Sequence, residues 1–277
     1  MAKSIGLGIM EFTNEYQRLE PDMVLLIGDR YEALAATIAA AYMNLPIAHI
    51  QGGEISGSID ESARHAITKF AHLHFPSTER SAKYIEQMGE RPDCIFNVGC
   101  PSGDYILKLN GELPQDLFGD AGVGVGGSID INSPFLLVIF HPVTTEFGTQ
   151  RKQAEQLIQA LHDLSLPTIW IWPNIDAGAD YISKALRVYR EHNDANWLYL
   201  VKNLEPVTYQ QILKRTACAI GNSSSFIRDS TFSGTPVVLV GDRQVGREHG
   251  SNLVSCQLDA DSIRSAVTEQ LDHGRYE

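Results

Sequence analysis

The chain has 277 residues, 43% of them hydrophobic, enough for one large or two ordinary domains with real cores. Its formal net charge of -12 argues against a nucleic-acid-binding surface as the main function, although local arginines and helix N-termini can still hold an anionic small ligand. The four cysteines, Cys94, Cys100, Cys218 and Cys256, form no CxxC pair and read as buried small apolar residues of a reducing compartment; with no apolar run long enough to cross a bilayer and no signal peptide, the sequence predicts a soluble, cytoplasmic protein without a metal site.

Apolar residues at helical spacing predict an amphipathic helix over residues 1–19, ended by Pro21. Residues 23–27 are a continuous apolar run suited to a buried parallel strand, followed by Gly28, Asp29 and Arg30 and an Ala-rich helix over about 31–43. Asp29 is placed to cap that helix, and Arg30 stands where a phosphate could lie or where an ordinary surface arginine would. A strand at 46–50 leads into HIQGGEISGSIDESARHAI (49–67), in which Gly52 and Gly53 turn the backbone, Asp60 is placed to cap a helix starting at Glu61, and Glu61 and His65 share a helix face. The same spacing also fits a strand, a turn and a helix with a solvated charged cap. A short strand at 72–75 carries His72 and His74 on one side, read as satisfied histidines for want of a third ligand. A helix at 79–88, a strand at 94–98 and a helix to about 109 follow.

The Gly-, Pro- and Asp-rich segment 111–133 marks a domain boundary, placed between residues 112 and 113, and its GVGVGG (122–127) reads as a flexible connector rather than a phosphate loop. Strand and helix then alternate: strands at 135–140, 168–172, 197–201, 218–220 and 236–240, with helices near 151–164, 178–190, 208–216, a short one ending at Ser233, and a last one at 261–271. That rhythm predicts α/β architecture with parallel sheets, in two Rossmann-like domains facing across a cleft. Polar residues gather at strand ends: Asp29 and Arg30, Gln51 and Glu54, His141, Asn174 and Asp176, Ser223 and Ser224, Arg243 and Arg247. Right-handed crossovers bring such turns of one sheet to one edge. GNSS (221–224) is a candidate anion site of small residues, hydroxyls and helix-terminal amides, with a plain helix cap as the alternative. Arg243 and Arg247 could neutralise a diphosphate, or belong to a solvated loop, and His141 could donate to a phosphate, carry a proton or be structural.

GDRYEALA (28–35), HIQGGEISGSIDESARHAI (49–67), VGCPS (98–102), HPVTT (141–145), PNIDAG (173–178), GNSSS (221–225) and GDRQVGRE (241–248) together resemble, in order and over essentially the whole chain, the hydrolysing UDP-N-acetylglucosamine 2-epimerases of sialic and nonulosonic acid biosynthesis. The resemblance implies a GT-B-type fold of two Rossmann-like domains and no cofactor. It also implies a UDP-sugar substrate, and a homodimer or homotetramer without nucleic-acid or membrane partners. The reaction it implies turns UDP-GlcNAc and water into ManNAc and UDP through a 2-acetamidoglucal intermediate. By motif position it implies catalytic roles for Asp29 and Asp60, with Glu54 and His141 beside them. It implies substrate or nucleotide contacts for Arg30, Gln51, His65, Asn174, Asp176, Ser223, Ser224, Asp229, Arg243 and Arg247.

Two departures stand out. Gln51 and Asp229 occupy positions where relatives often carry Glu, and Gln cannot act as a base. Relatives also begin with a strand and a GTRAEYG-like loop and run further at the C-terminus. The chain is therefore expected to be a fragment with an incomplete N-terminal domain (1–112), whose sheet has an open edge, and a nucleotide-binding C-terminal domain (113–277). The rivals are the same reaction on UDP-N,N'-diacetylbacillosamine or a GDP-linked sugar, a GT-B glycosyltransferase, and an inactive nucleotide-sugar-binding paralogue.

Overall fold

The computed structural model describes residues 2–56, 59–110, 112–113, 117, 124–143, 146, 148–173 and 178–277. The chain divides into two compact units, Met1–Pro101 with Val245–Arg247, and Ser102–Gln244 with Glu248–Glu277. Among the described residues no helix is long and apolar enough to cross a membrane.

The first unit is built on three parallel strands in the order β1 (Val24–Ile27), β2 (Ile47–Ile50), β3 (Leu73–Phe75). Helix α1 (Ala2–Leu19) lies on α2 (Tyr31–Tyr42), where the hydrogen-only side of Gly8 meets Ala35 and lets the two axes approach. α3 (Ile59–Phe70) and α4 (Glu79–Gln87) complete the unit, and Thr78 caps α4 by accepting from the amide of Ser81. Strand β1 departs from the reading of a buried strand: it is the sheet's edge, with Val24 buried but Leu25 and Ile27 more than half exposed. α1 likewise has no buried residue, and Leu7, Met10 and Leu19 face outwards. Residues 94–98 do not form the expected strand. A 3-10 turn occupies Pro92–Cys94, and only a single bridge joins Ile95 to His74, because Phe96 and Val98 find no covering layer.

The second unit carries a sheet in the order β10-β9-β8-β5-β6-β7-β4, parallel except for β4. Its strands are β4 (Gly124–Gly126), β5 (Leu136–Ile139), β6 (Thr168–Ile171), β7 (Leu198–Val201), β8 (Cys218–Gly221), β9 (Val237–Val240) and β10 (Leu253–Cys256). Successive strand residues point to opposite faces, and both faces are covered. Leu136, Val138 and Phe140 pack with Leu157 and Leu161 of α6 (Gln150–Leu164), Ile182 and Leu186 of α7 (Ala179–His192), and Ile263 and Val267 of α10 (Ala260–His273). Leu137 and Ile139 pack on the other side with Ile212 and Leu213 of α8 (Pro206–Arg215) and Phe226 of α9 (Ser224–Arg228). Continuous apolar runs in β5, β8 and β9 follow from this two-sided burial.

Two elements differ from the sequence reading. Gly124–Gly126, read as connector, pairs antiparallel with β7, because only glycine fits where a side chain would strike the carbonyls of Leu198 and Leu200; residues 122–123 of that motif lie outside the described residues. β10 was not anticipated at all: it is an outer strand with the polar, exposed Ser255, so no apolar run announces it. The cysteines differ as well. All are free, only Cys218 is buried, and Cys94, Cys100 and Cys256 are partly exposed.

The strand order of the second unit reverses between β5 and β8. From β5 the chain proceeds through α6 to β6 on one side, and from β8 through α9 to β9 on the other. Ligand sites of open parallel sheets lie outside the carboxyl ends of the strands at such a reversal. The residues that leave those two ends are His141 and the segment 222–225.

Candidate active site

In the first unit, β1 and β2 end side by side, and the two segments leaving them carry Asp29 and Gln51–Glu54. His49 joins these segments. One ring nitrogen, Nε2, lies 2.8 Å from the carbonyl oxygen of Gly28, and Nδ1 lies 3.2 Å from the Thr68 hydroxyl of α3. A carbonyl only accepts, so Nε2 carries the ring proton. The ring is fully buried, and burial pushes its pKa down to about 4. His49 is therefore a neutral strut between the turn before Asp29 and the helix behind it.

Asp29 does not cap α2. The N-cap position is Arg30, with no side-chain cap bond, and the Asp29 carboxylate instead takes the guanidinium of fully buried Arg64. A second guanidinium, Arg247, reaches Asp29 at 3.6 Å and Glu54 at 3.5 Å. Arg64 also donates to the Glu54 carbonyl at 2.5 Å. Two carboxylates and two guanidiniums, all largely buried, thus balance one another's charge, which is the condition under which ionised groups persist out of water. The carboxylates are the groups that can accept a proton, the guanidiniums beside them favour the ionised form, and those cations can stabilise developing negative charge.

Asp60 is not a helix cap either. α3 starts at Ile59, so Asp60 sits inside the first turn, half-buried, where a carboxylate suits the helix dipole. Glu61 accepts from the amide of Ser56 at 2.5 Å and so ties that residue to the helix. His65 is half-buried, and burial lowers its pKa against the opposing pull of Glu61. Arg30 is exposed and paired with Glu32 at 3.2 Å. Gln51 is 4% exposed, donates to the Cys100 sulfur at 3.4 Å, and has φ of 62°, the left-handed region that costs a non-glycine residue energy. Beside it, Gly53 (φ 75°) passes so close to the carbonyl of Ser81 that no side chain fits.

In the second unit the strand reversal is held by hydrogen bonds centred on the neutral amide of Asn222. Asn222, 1% exposed, accepts from the amide of His141 at 2.7 Å and donates to its carbonyl at 2.8 Å. The Asn222 carbonyl accepts from Arg243 at 3.1 Å and Gln244 at 2.9 Å. Ser223 caps α9, and its hydroxyl lies 3.0 Å from that of Ser225, which in turn meets the Tyr209 hydroxyl at 2.5 Å. Ser224 opens the helix, half-buried. Gly221, at φ 142°, is required because a side chain would strike the carbonyl of Ile139. Asp229 is buried. Gln210 donates to it at 2.8 Å, and burial raises its pKa despite the hydrogen bonds from Gln210 and Ser102 and the nearby Arg228. Asn174 and Asp176 lie outside the described residues, as do residues 144–145 of HPVTT.

The two arginines of the 241–248 loop part company: Arg243 belongs to the Asn222 node, while Arg247 groups with the first unit and its acids. Sequence reasoning passed over Arg64 and Asn222 as site residues. Arg64 lies one helical turn after Asp60, and Asn222 follows a strand-ending glycine. Both spacings are visible in the sequence, but neither says which partner the side chain meets.

A model of the family described as UDP-N-acetylglucosamine 2-epimerase matches residues 1–277. The chain is 36% identical over 272 residues to a UDP-N,N'-diacetylbacillosamine 2-epimerase (hydrolyzing) of Legionella pneumophila, covering 98% of this chain and 70% of that protein. It is 30% identical over 282 residues to a UDP-N-acetylglucosamine 2-epimerase of Neisseria meningitidis, covering 100% and 71%. Among solved structures it resembles the UDP-GlcNAc 2-epimerase from Neisseria meningitidis bound to UDP-GlcNAc, with a TM-score of 0.78 at 16% identity over 99% of this chain and 76% of that one. That likeness shows the fold, α/β of the GT-B type with sheets that are mainly parallel.

Proposed function

This chain belongs to the UDP-N-acetylglucosamine 2-epimerase family, and from that premise we propose that it is a hydrolysing 2-epimerase that converts UDP-GlcNAc and water into ManNAc and UDP. The observation that carries the reading is the buried set of Asp29 and Glu54 held between Arg64 and Arg247. A carboxylate of the first unit, Asp29 or Asp60, removes the proton at C2 of the sugar while the C1–O bond breaks and UDP leaves. Water then adds across the resulting 2-acetamidoglucal, its hydroxyl to C1 and a proton to C2 on the opposite face, which inverts C2 and leaves free ManNAc. Glu54 and Arg247 surround the reacting carbons with balanced charge, and Gln51 and His65 contact the sugar as neutral groups. In the second unit, His141, Ser223, Ser224 and Arg243 hold the diphosphate, a Gly-bounded strand end and a helix start being suited to an anion. Asn174, Asp176 and Asp229 serve the nucleoside, and Arg30 lies at the first unit's rim. Residues 1–112 act as the catalytic domain and 113–277 as the nucleotide domain, and the enzyme works as a cytoplasmic homodimer or homotetramer without a cofactor.

A second reading is favoured by the Legionella relative, whose name specifies UDP-N,N'-diacetylbacillosamine: the same steps on that sugar. Proton NMR in deuterated water, with each nucleotide sugar in turn, tests both. Free UDP with a sugar deuterated at C2 is expected, and the substrate that yields it faster is the natural one. Accumulation of the 2-epimeric nucleotide sugar with no free UDP would show a non-hydrolysing enzyme instead. Asp29→Asn and Asp60→Asn are each expected to cut kcat by about a hundredfold or more, the scale of a lost general acid or base.

A further inference from the structure

The role of Asn222 goes beyond the groups that touch substrate. Strands β5 and β8 stay in register to their last residues, Ile139 opposite Gly221, and the amide of Asn222 still donates to the Ile139 carbonyl at 3.1 Å. Beyond that point the two chains separate towards different loops. The Asn222 side chain replaces the missing ladder: its amide takes the N–H of His141 and gives to its C=O, the two bonds a neighbouring strand would make. The same residue's carbonyl collects Arg243 and Gln244 from the loop after β9, and the next residue, Ser223, caps α9. One buried amide therefore sets the backbone that carries an imidazole, the anchor of a guanidinium and the start of a helix.

No other side chain reproduces this. Aspartate accepts but cannot donate to the His141 carbonyl, serine offers a single group, and glutamine is a methylene too long for a tightly packed strand end. Ile139 and Phe140, which precede His141, are buried in the two core layers, so a shift of His141 cannot be absorbed by the strand behind it.

We propose that Asn222 is the positioning residue of the diphosphate side of the site, holding His141 and Arg243 where they meet the nucleotide. This inference rests on the assignment of His141 and Arg243 to nucleotide binding, and the test keeps the two apart. UDP affinity is measured by calorimetry for the wild-type chain, His141→Ala, Asn222→Ala and the double variant, with Asn222→Ser as the milder change. His141→Ala is expected to weaken UDP about tenfold alone but only about twofold in the Asn222→Ala background, since the imidazole is then no longer held in place. Asn222→Ser should fall between wild type and Asn222→Ala. A full, additive His141 effect in both backgrounds would overturn the proposal, because a purely structural residue leaves that cost unchanged. If the wild-type chain fails to bind UDP, the nucleotide reading itself is wrong. The positioning of His141 is then judged on the wild-type protein by amide hydrogen exchange. There the His141 N–H is expected to be as protected as the β5 ladder, and fast exchange would sink the inference whatever the variants do.

Discussion

The two units secure their strand ends by opposite means. In the first, the groups behind β1 and β2 are charged: Asp29 and Glu54 against Arg64 and Arg247. In the second, the groups behind β5 and β8 are mostly neutral: Asn222, Gln244, Ser223, Ser225 and Tyr209, joined through amide and hydroxyl bonds, with Arg243 donating to the Asn222 carbonyl. Buried opposite charges depend on every partner being present, because removing one strands another in a medium that solvates it poorly. A neutral node depends on geometry, since each lost bond costs little but each shift moves everything attached. A unit that must move protons needs ionisable groups and carries the first risk. A unit that must present donors to an anion can avoid it.

Breaking the charged set should therefore have the largest effect. Arg64→Met removes the guanidinium of a fully buried arginine and is expected to destabilise the first unit by about 3–5 kcal/mol, read as a lower urea midpoint. The sharper outcome is the double variant. Asp29→Asn with Arg64→Met should be more stable than Arg64→Met alone, because the uncompensated charge is gone, whereas independent sites would simply add.

The next effect is on pH dependence. The His49 pKa is pushed from the ordinary 6.5 to about 4, chiefly by burial. Between those values the unfolded chain binds a proton that the folded chain refuses, so stability rises with pH across the window and is lost as pH falls through it. The gap corresponds to about 3 kcal/mol. Burial also lowers the pKa of His65 and His74, with the same sign, so wild-type stability alone does not isolate the effect. Urea unfolding of His49→Asn over pH 4 to 7 should lose this part of the slope, while the wild type keeps it.

The contrast between the units also explains what was legible in the sequence. β5, β8 and β9 are buried on both faces and read as continuous apolar runs, so the parallel architecture of the second unit was visible. β10 and β4 escaped, one because an outer strand carries exposed polar residues, the other because three Gly-rich residues gain their place from backbone pairing with β7. Residues 94–98 look like a strand, but only a single bridge, Ile95 to His74, joins them to the sheet. For the site, the motifs pointed to Asp29, Glu54, His141 and Ser223 because small, polar and acidic residues cluster at strand ends. That Arg247 meets Asp29 and Glu54 was not legible. Arg247 lies more than 190 positions from either acid in the chain, and no local pattern specifies its contact with them. Asp29 and Asp60 read as caps because local spacing favours one: Asp29 instead takes the tertiary partner Arg64, and Asp60 falls inside the first turn of a helix that starts at Ile59.

The smallest effect is the most informative about function. Gln51 holds a left-handed backbone, φ 62°, while buried to 4%, at the point where the chain leaves β2 for the acid-bearing loop. Such a conformation costs a non-glycine residue about 1 kcal/mol and persists only where the surroundings impose it. Two glycines follow immediately, so the chain had the residue type that would relieve the strain within one position, and Gln51 occupies the strained site nonetheless. If its amide, held on Cys100, is there for packing alone, Gln51→Gly should cost stability through the lost contacts. If it is there to meet the sugar, Gln51→Gly should gain about 1 kcal/mol in urea unfolding while kcat/KM falls. The second outcome is expected. A variant that is both less stable and fully active would remove Gln51 from the site and leave the charged set of the first unit to act without it.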